Sequence, residues 1–155
     1  MLFLTHYASP LGSILLAADE TGLTGLWFEA QKYFPSFLGV DYQEKETPVL
    51  TETARWLDVY FSGKDPGFLP PLHSPFRQTV WNILLTIPRG QTMTYGEIAR
   101  RLGVRSAQAV GGAVGHNPIS ILIPCHRVVG SDGSLTGYAG GVERKARLLQ
   151  LEGAR

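Results

Sequence analysis

The chain has 155 residues, 44% of them hydrophobic, and a net charge of +1, which suits one or two small domains with real cores. Its one cysteine excludes an internal disulfide and a Cys-based zinc site, so a reducing, cytoplasmic protein with a free thiol is expected. No apolar run approaches the roughly 18–20 residues of a membrane span, MLFLTHYASPLG lacks the regions of a signal peptide, and His6, His73, His116 and His126 show no metal-ligand spacing, so no metal is expected.

FLTHYAS, GSILLAA and LTGLWFE predict three short strands, with DETG (19–22) as a hairpin turn. TPVLTETARWLDVYFSG predicts a helix capped by Thr47, with Pro48 in its first turn and Gly63 as its stop. Val49, Leu50, Ala54, Leu57, Tyr60 and Phe61 recur near helical spacing, and Trp27, Phe28 and Trp56 are expected in the core. No chemistry is legible in this half. PGFLPPLHSP (66–75) then forms a linker, dividing the chain into residues 1–70 and 71–155.

The charge changes sign at that linker. Residues 1–72 carry four basic and nine acidic side chains; residues 73–155 carry ten basic and four acidic. A basic half favours a polyanionic partner, because each phosphate contact releases counterions. A scattered solvated surface gives the same count, and charge alone leaves both readings open.

In the second half, Ser74 and Pro75 open a helix, PFRQTVWNILLTI, with Val80, Trp81, Leu84 and Leu85 as its apolar stripe. TYGEIARRLG follows, with Thr94 and Glu97 at capping-box spacing, Ile98, Ala99 and Leu102 facing inward and Gly103 closing it. SAQAVGGAVGHN is the next helix, capped by Ser106; the pair is a helix-turn-helix candidate. Its second member is made almost wholly of Ala and Gly. Gly111, Gly112 and Gly115 together cost about 2–3 kcal/mol of helix propensity. Either a neighbouring helix packs closely on it, or a nucleic acid does. A helix without long side chains suits the minor groove, about 6 Å wide and poor in sequence information. That approach also suits pushing a base out of the stack.

ISILIP (119–124) predicts a buried strand that places Cys125 at its mouth, beside His126 and Arg127. Neighbouring cations favour the thiolate, the nucleophilic form. In extended chain, however, adjacent side chains point to opposite faces. His126 then reaches the sulfur only through a water or a bend, and as a base it needs a partner that fixes its tautomer. Glu152, in the final turn of VERKARLLQLEG, is the candidate: a carboxylate there opposes the helix dipole. A frayed, exposed Glu would look the same in sequence, as a buried structural Cys would look like Cys125. The loop GSDGSLTGYAGG favours a site, because its glycines admit close backbone approach and Tyr138 offers a ring for stacking.

IPCHRVVGSDGSLTGYAGG resembles the active-site segment of the methylated-DNA–protein-cysteine methyltransferases, the O6-alkylguanine repair proteins. VWNILLTIPRGQTMTYGEIARRLG and AVGGAVGHNPI are similar to that family in the expected order, so the motif-rich match spans roughly residues 74–153. The first half is similar in length and element order. The resemblance implies an α/β RNase H-like domain at 1–70 and a mainly α, winged helix-turn-helix-like domain at 71–155. It implies that Cys125 accepts an alkyl group from O6-alkylguanine in double-stranded DNA, with O4-alkylthymine a second candidate substrate, irreversibly and without a cofactor. His126 and Glu152, with a water, would withdraw the thiol proton; Tyr95 would donate a proton toward the flipped guanine; Asn117 would tie the small-residue helix to the active-site strand. Val128, Tyr138 and Ala139 would wall the base pocket, while Thr94, Tyr95, Gly96, Ser106, Ala109 and Ser131 would contact DNA. One departure stands out. The family commonly has Arg before AVGGA, a finger that fills the gap left by the flipped nucleotide; here Gln108 holds that place, with Arg105 one turn earlier.

Three other classes remain in view. A non-catalytic sensor of alkylated bases would lack the acceptor cysteine. A helix-turn-helix regulator would read the major groove with long side chains. A cysteine hydrolase would need an oxyanion hole that no segment supplies. No coiled-coil seam or large apolar patch is present, so a monomer is expected.

Overall fold

The structure, a computed structural model, describes residues 1–32, 34–37, 39–73 and 78–155. It divides into two compact units, Met1–Ser74 and Pro75–Arg155.

The first unit is a four-stranded sheet with one helix. Strands β1 (Leu2–Ser9), β2 (Gly12–Ala18) and β3 (Leu23–Phe28) form an antiparallel meander, and β4 (Tyr42–Glu44) completes the sheet in the order β3-β2-β1-β4. The 19–22 turn forms as expected: Asp19 Oδ1 accepts from the amides of Thr21 (2.8 Å) and Gly22 (2.9 Å). β4 pairs parallel to β1 and was not legible, since its three residues are all exposed and show no alternation. β2 is buried from Ile14 to Ala18, on both faces. Helix α1 (Pro48–Phe61) packs on the sheet through Leu50, Trp56, Leu57 and Tyr60, and Thr47 caps it by accepting from the Leu50 amide at 3.3 Å. Trp27 is only half-buried, set against Leu4, Leu15 and Ala17 beside Phe37. The Pro-rich 66–73 stretch is tied to this unit: Trp56 Nε1 donates to the Phe68 carbonyl at 2.7 Å, the Leu23 amide donates to the Pro71 carbonyl at 2.7 Å, and the His73 amide donates to the Leu23 carbonyl at 2.8 Å.

The second unit holds helices α2 (Gln78–Leu85), α3 (Tyr95–Leu102), α4 (Ala107–Gly115) and α5 (Val142–Leu151). The expected helix opening at Ser74 and Pro75 lies outside the described residues. Val80, Trp81 and Leu84 are buried, but Leu85 is 39% exposed: the helix ends there, and the last residue turns off the stripe. Thr94 caps α3, accepting from the Glu97 amide at 3.1 Å, and Gly103 ends it at φ +70°. Ser106 caps α4 in the same way. A short parallel ladder joins β5 (Met93–Thr94) to β6 (Val128–Val129), so the start of α3 lies beside the segment that follows Cys125.

The predicted strand at 119–124 does not exist. These residues form buried turns, with Ile121 at φ +72°, and Cys125–Arg127 is a single 3-10 turn. Composition misleads here for a physical reason. A run of Ile and Leu marks burial, but a strand also needs a neighbour to take its amides and carbonyls. Here the Asn117 side chain takes the Ile119 amide and the Ile119 and Ile123 carbonyls, and the amides of Leu122 and Ile123 bond back to Ser120 and Ile119 within the turns.

Candidate active site

Asn117 follows α4, is buried, and uses both ends of its amide. Oδ1 accepts from the Ile119 amide at 3.0 Å; Nδ2 donates to the carbonyls of Ile119 (3.2 Å) and Ile123 (2.9 Å). This folds 119–123 back on itself. The same Nδ2 lies 3.2 Å from Cys125 Sγ, so the group that shapes the turn also donates to the sulfur. Asn117 thus ties α4 to a turn rather than to a strand.

The 3-10 turn answers the geometric objection of extended chain, since Cys125 and His126 no longer alternate across a strand. His126 is fully buried, and its Nε2 lies 2.6 Å from Glu152 Oε2. Glu152 caps the end of α5 and is also buried. Arg127 grips the same carboxylate, with Nε 2.7 Å from Oε1 and an Nη 3.1 Å from Oε2, while its other Nη donates to the Ile87 carbonyl at 2.7 Å. Burial alone would raise the Glu152 carboxyl, but the hydrogen bonds from His126 and Arg127, with the Arg127 charge, outweigh it and hold the group well below the ordinary carboxylate range. Burial lowers His126, against the pull of Glu152. A neutral imidazole facing an ionised carboxylate must carry its proton on Nε2, and Nδ1 is left as the acceptor. Nδ1 has no hydrogen-bond partner among the described residues. The Cys125 thiol is pushed up by burial, with Asn117 and Lys145 working in the opposite direction.

Tyr95, at the start of α3, donates its hydroxyl to the Thr136 carbonyl at 2.7 Å. Gly137 passes so close that a Cβ there would stand 2.8 Å from the Tyr95 oxygen, at φ +73°. Lys145 on α5 is fully buried, its Nζ 2.8 Å from the Thr136 carbonyl and 3.5 Å from the Tyr95 oxygen. Burial brings its ammonium down to about 8. The Tyr138 ring stands edge-on to His126, with centroids 6.5 Å apart.

Residues 75–154 match the family model for the DNA binding domain of 6-O-methylguanine DNA methyltransferase, and residues 2–73 match that for its ribonuclease-like domain. A methylated-DNA–protein-cysteine methyltransferase of Methanosarcina barkeri is 48% identical over 93% of this chain and 92% of its own. One of Haemophilus influenzae is 42% identical over 97% and 86%. The crystal structure of Mycobacterium tuberculosis OGT in complex with DNA superposes with a TM-score of 0.87 at 42% identity, covering 97% of this chain and 92% of that one. The chain belongs to the methylated-DNA–protein-cysteine methyltransferase family.

Its fold is the family's two-domain arrangement, a ribonuclease-like unit followed by a DNA-binding one. Among the candidates for the methyltransferase centre, Asn117 is hydrogen-bonded to Cys125 and His126 to Glu152, two pairs that meet at the Cys125–His126 step of the chain, and Tyr95 sits against the 136–137 backbone. Val128 and Tyr138 are buried and Ala139 is partly so. Arg105, Ser106, Gln108, Ala109 and Ser131 are exposed, with Thr94 and Gly96 half-buried. Sequence reasoning missed two participants. Arg127 was noted only as a cation near the thiol, and its grip on Glu152 spans 25 residues. Lys145 carried a signal that could have found it: with Leu148 and Leu149 it lies on the buried stripe of α5, where a charge is out of place.

Proposed function

We propose that this chain repairs DNA by moving the alkyl group of O6-alkylguanine onto Cys125, once per molecule. The observation that carries the reading is the pair Asn117–Cys125 at the chain's single thiol, with the hydrogen-bonded set His126–Glu152–Arg127 starting at the very next residue. His126 Nδ1 takes the thiol proton, through a water, while Glu152 steadies the imidazolium that results. The sulfur attacks the alkyl carbon; the C–S bond forms as the C–O6 bond breaks, and its electron pair returns to the guanine. Tyr95 leaves the Thr136 carbonyl and donates a proton toward the departing base. A thioether is not readily hydrolysed and no nearby group regenerates the thiol, so the product is dead-end S-alkylcysteine.

The base arrives flipped from a duplex held through the minor groove, against the walls Val128, Tyr138 and Ala139. The DNA backbone is contacted by Thr94, Gly96, Ser106, Ala109 and Ser131, with Gln108 or Arg105 filling the gap. Support comes from α4: a Cβ on Gly112 would meet nothing within 4 Å, so internal packing does not require that glycine. The winged and RNase H-like descriptions of the two units, a monomeric state and a cytoplasmic setting belong to the same reading. Among the described residues no helix is long and apolar enough to cross a membrane.

The deciding experiment is the intact mass of the protein after incubation with duplex DNA containing O6-methylguanine. A gain of one methyl, absent in Cys125→Ala, is expected; no gain in the wild type refutes the reading. A parallel duplex with O4-methylthymine tests the second substrate.

A further inference from the structure

The buried face of α5 carries Lys145, Leu148 and Leu149, and Glu152 follows one turn on as its cap. Two leucines are thus bracketed by opposite charges. Glu152 serves His126. Lys145 has no established task, yet its side chain is fully buried, a position that lysine almost never takes without a paired anion. Among the described residues no carboxylate lies within ion-pair distance of it. Its partners are the Thr136 carbonyl, the Tyr95 oxygen and the Tyr95 ring, whose centroid is 5.6 Å from Nζ. A Met or Leu would fill the stripe without the desolvation. A cation kept there without a permanent anion suits a site where an anion forms transiently.

We propose that Lys145 is a positioning residue of the reaction centre: its buried ammonium is the counter-charge for the Cys125 thiolate and fixes the Thr136 carbonyl that receives the Tyr95 hydroxyl. Helix α5 then supplies both charges the thiol needs, Glu152 acting through His126 on the departing proton and Lys145 on the anion left behind. The titratable groups in its electrostatic reach are Tyr95 on α3 and Cys125 and His126 on the 3-10 turn. Of these only the thiolate attracts it within the working range, and burial of the ammonium is what brings it down to about 8. The two ionisations are therefore linked: the thiolate holds the proton on Lys145, and the protonated lysine favours the thiolate. Above about pH 8 the ammonium is progressively lost and the help it gives fades with it.

This rests on Cys125 being the acceptor, but its test needs no DNA. Thiolate absorbance near 240 nm is titrated in the full chain, with the Cys125→Ser protein as the blank, for wild type and for Lys145→Met. The thiol midpoint should rise in Lys145→Met by about one pH unit, a tenfold drop in thiolate at pH 7. Equal midpoints in two folded proteins overturn the proposal. Should Lys145→Met not fold, the linkage is read from the other side. The chain has four lysines, Lys32, Lys45, Lys64 and Lys145, few enough to follow individually by NMR of labelled side chains. Replacing Cys125 by Ser should lower the Lys145 midpoint, because the serine cannot ionise; an unmoved midpoint overturns the proposal equally. Methyl acceptance from O6-methylguanine DNA is measured on the same wild-type sample. Linked ionisation without methyl acceptance supports Lys145 and sinks the repair reading; methyl acceptance without linkage does the reverse.

Discussion

The two units bury polar groups in different ways. Among the described residues of Met1–Ser74 the buried polar side chains are Gln31 and Thr53, both neutral, and each closes nearby backbone: Gln31 Oε1 accepts from the Phe28 amide, Thr53 Oγ1 donates to the Val49 carbonyl. In Pro75–Arg155 they are Asn117, Ser120, His126, Lys145 and Glu152, and several join distant segments, 26 residues apart for His126 with Glu152 and 50 for Lys145 with Tyr95. Among the described residues the acid–base contacts of the first unit, the Met1 amine with Glu20, His6 with Glu29 and His73 with Asp19, stay at the surface. The first unit thus resembles a scaffold whose polar groups finish its own backbone. The second spends part of its core on charges that packing alone would avoid, and such groups mark a site.

The sharpest way to break that contrast is to damage one buried position in each unit, a charge in the second and an apolar side chain in the first, and ask what fails. Glu152→Gln keeps the shape but no longer orients or balances His126, and it leaves Arg127 half-buried against a neutral amide. Single-turnover methyl transfer should fall about 100-fold or more, and urea unfolding should show a loss of about 3–5 kcal/mol. Leu57→Ala, at a fully buried position of α1, should cost a comparable 2–5 kcal/mol by leaving a cavity. It should leave the His126 midpoint by NMR where it was. If Leu57→Ala moved that midpoint as far as Glu152→Gln does, the division of labour between the units would be wrong.

A milder perturbation is acid. His126 is depressed by burial, so below about pH 6.5 the unfolded chain binds a proton that the folded chain refuses, and stability falls with pH. Glu152 is depressed as well; its contribution is complete above the ordinary carboxyl value of about 4.3 and is lost as pH falls through its lower folded value. In the first unit the depressed groups are Asp19 and Glu20, which follow the same sign but begin to matter only below about pH 4. Between pH 7 and 5 the second unit should therefore weaken by up to about 2 kcal/mol for the one proton of His126. Amide hydrogen exchange would show it: protection in α5 and in the Asn117 turn should drop while that in β1–β3 holds. Equal losses in both units would mean that the buried histidine does not carry the acid response.

What could be read beforehand follows the same divide. Strands β1–β3, α1 and the caps of α3 and α4 were legible because each depends on residues close in sequence: alternation, a Thr or Ser at the cap, a Gly in the left-handed region. The candidate site could be named residue by residue, from the resemblance and from the misplaced Glu152, but its shape could not be read. The Ile-rich 119–123 segment looks like a strand until the Asn117 amide takes its backbone groups, and nothing local announces that. β4 was missed because pairing with β1, not its own polar residues, makes it a strand. Arg127 and Lys145 needed the third dimension, although a charge on the α5 stripe was a warning.

The smallest expected effect is the most discriminating for α4. Two accounts of its glycines were open, close packing within the protein and close approach of a nucleic acid. They separate by position. A Cβ on Gly115 would lie 3.2 Å from the Gly137 carbonyl, a crowded contact with backbone, so smallness there serves the protein's own packing. Gly111 would make only ordinary contact with the Tyr95 ring, at 3.8 Å, and Gly112 would meet nothing. Gly112→Ala should therefore raise unfolding stability by about 0.5–1 kcal/mol, since helix propensity is regained at no steric cost. If α4 lies against DNA, the same methyl group should weaken duplex binding several-fold, measured by fluorescence anisotropy at fixed salt. Gains in stability with loss of binding would show that residue 112 is glycine for the partner's sake. A more stable protein that binds equally well would return Gly112 to the account in which its smallness serves nothing outside the fold, and would remove α4 as the element that enters the groove.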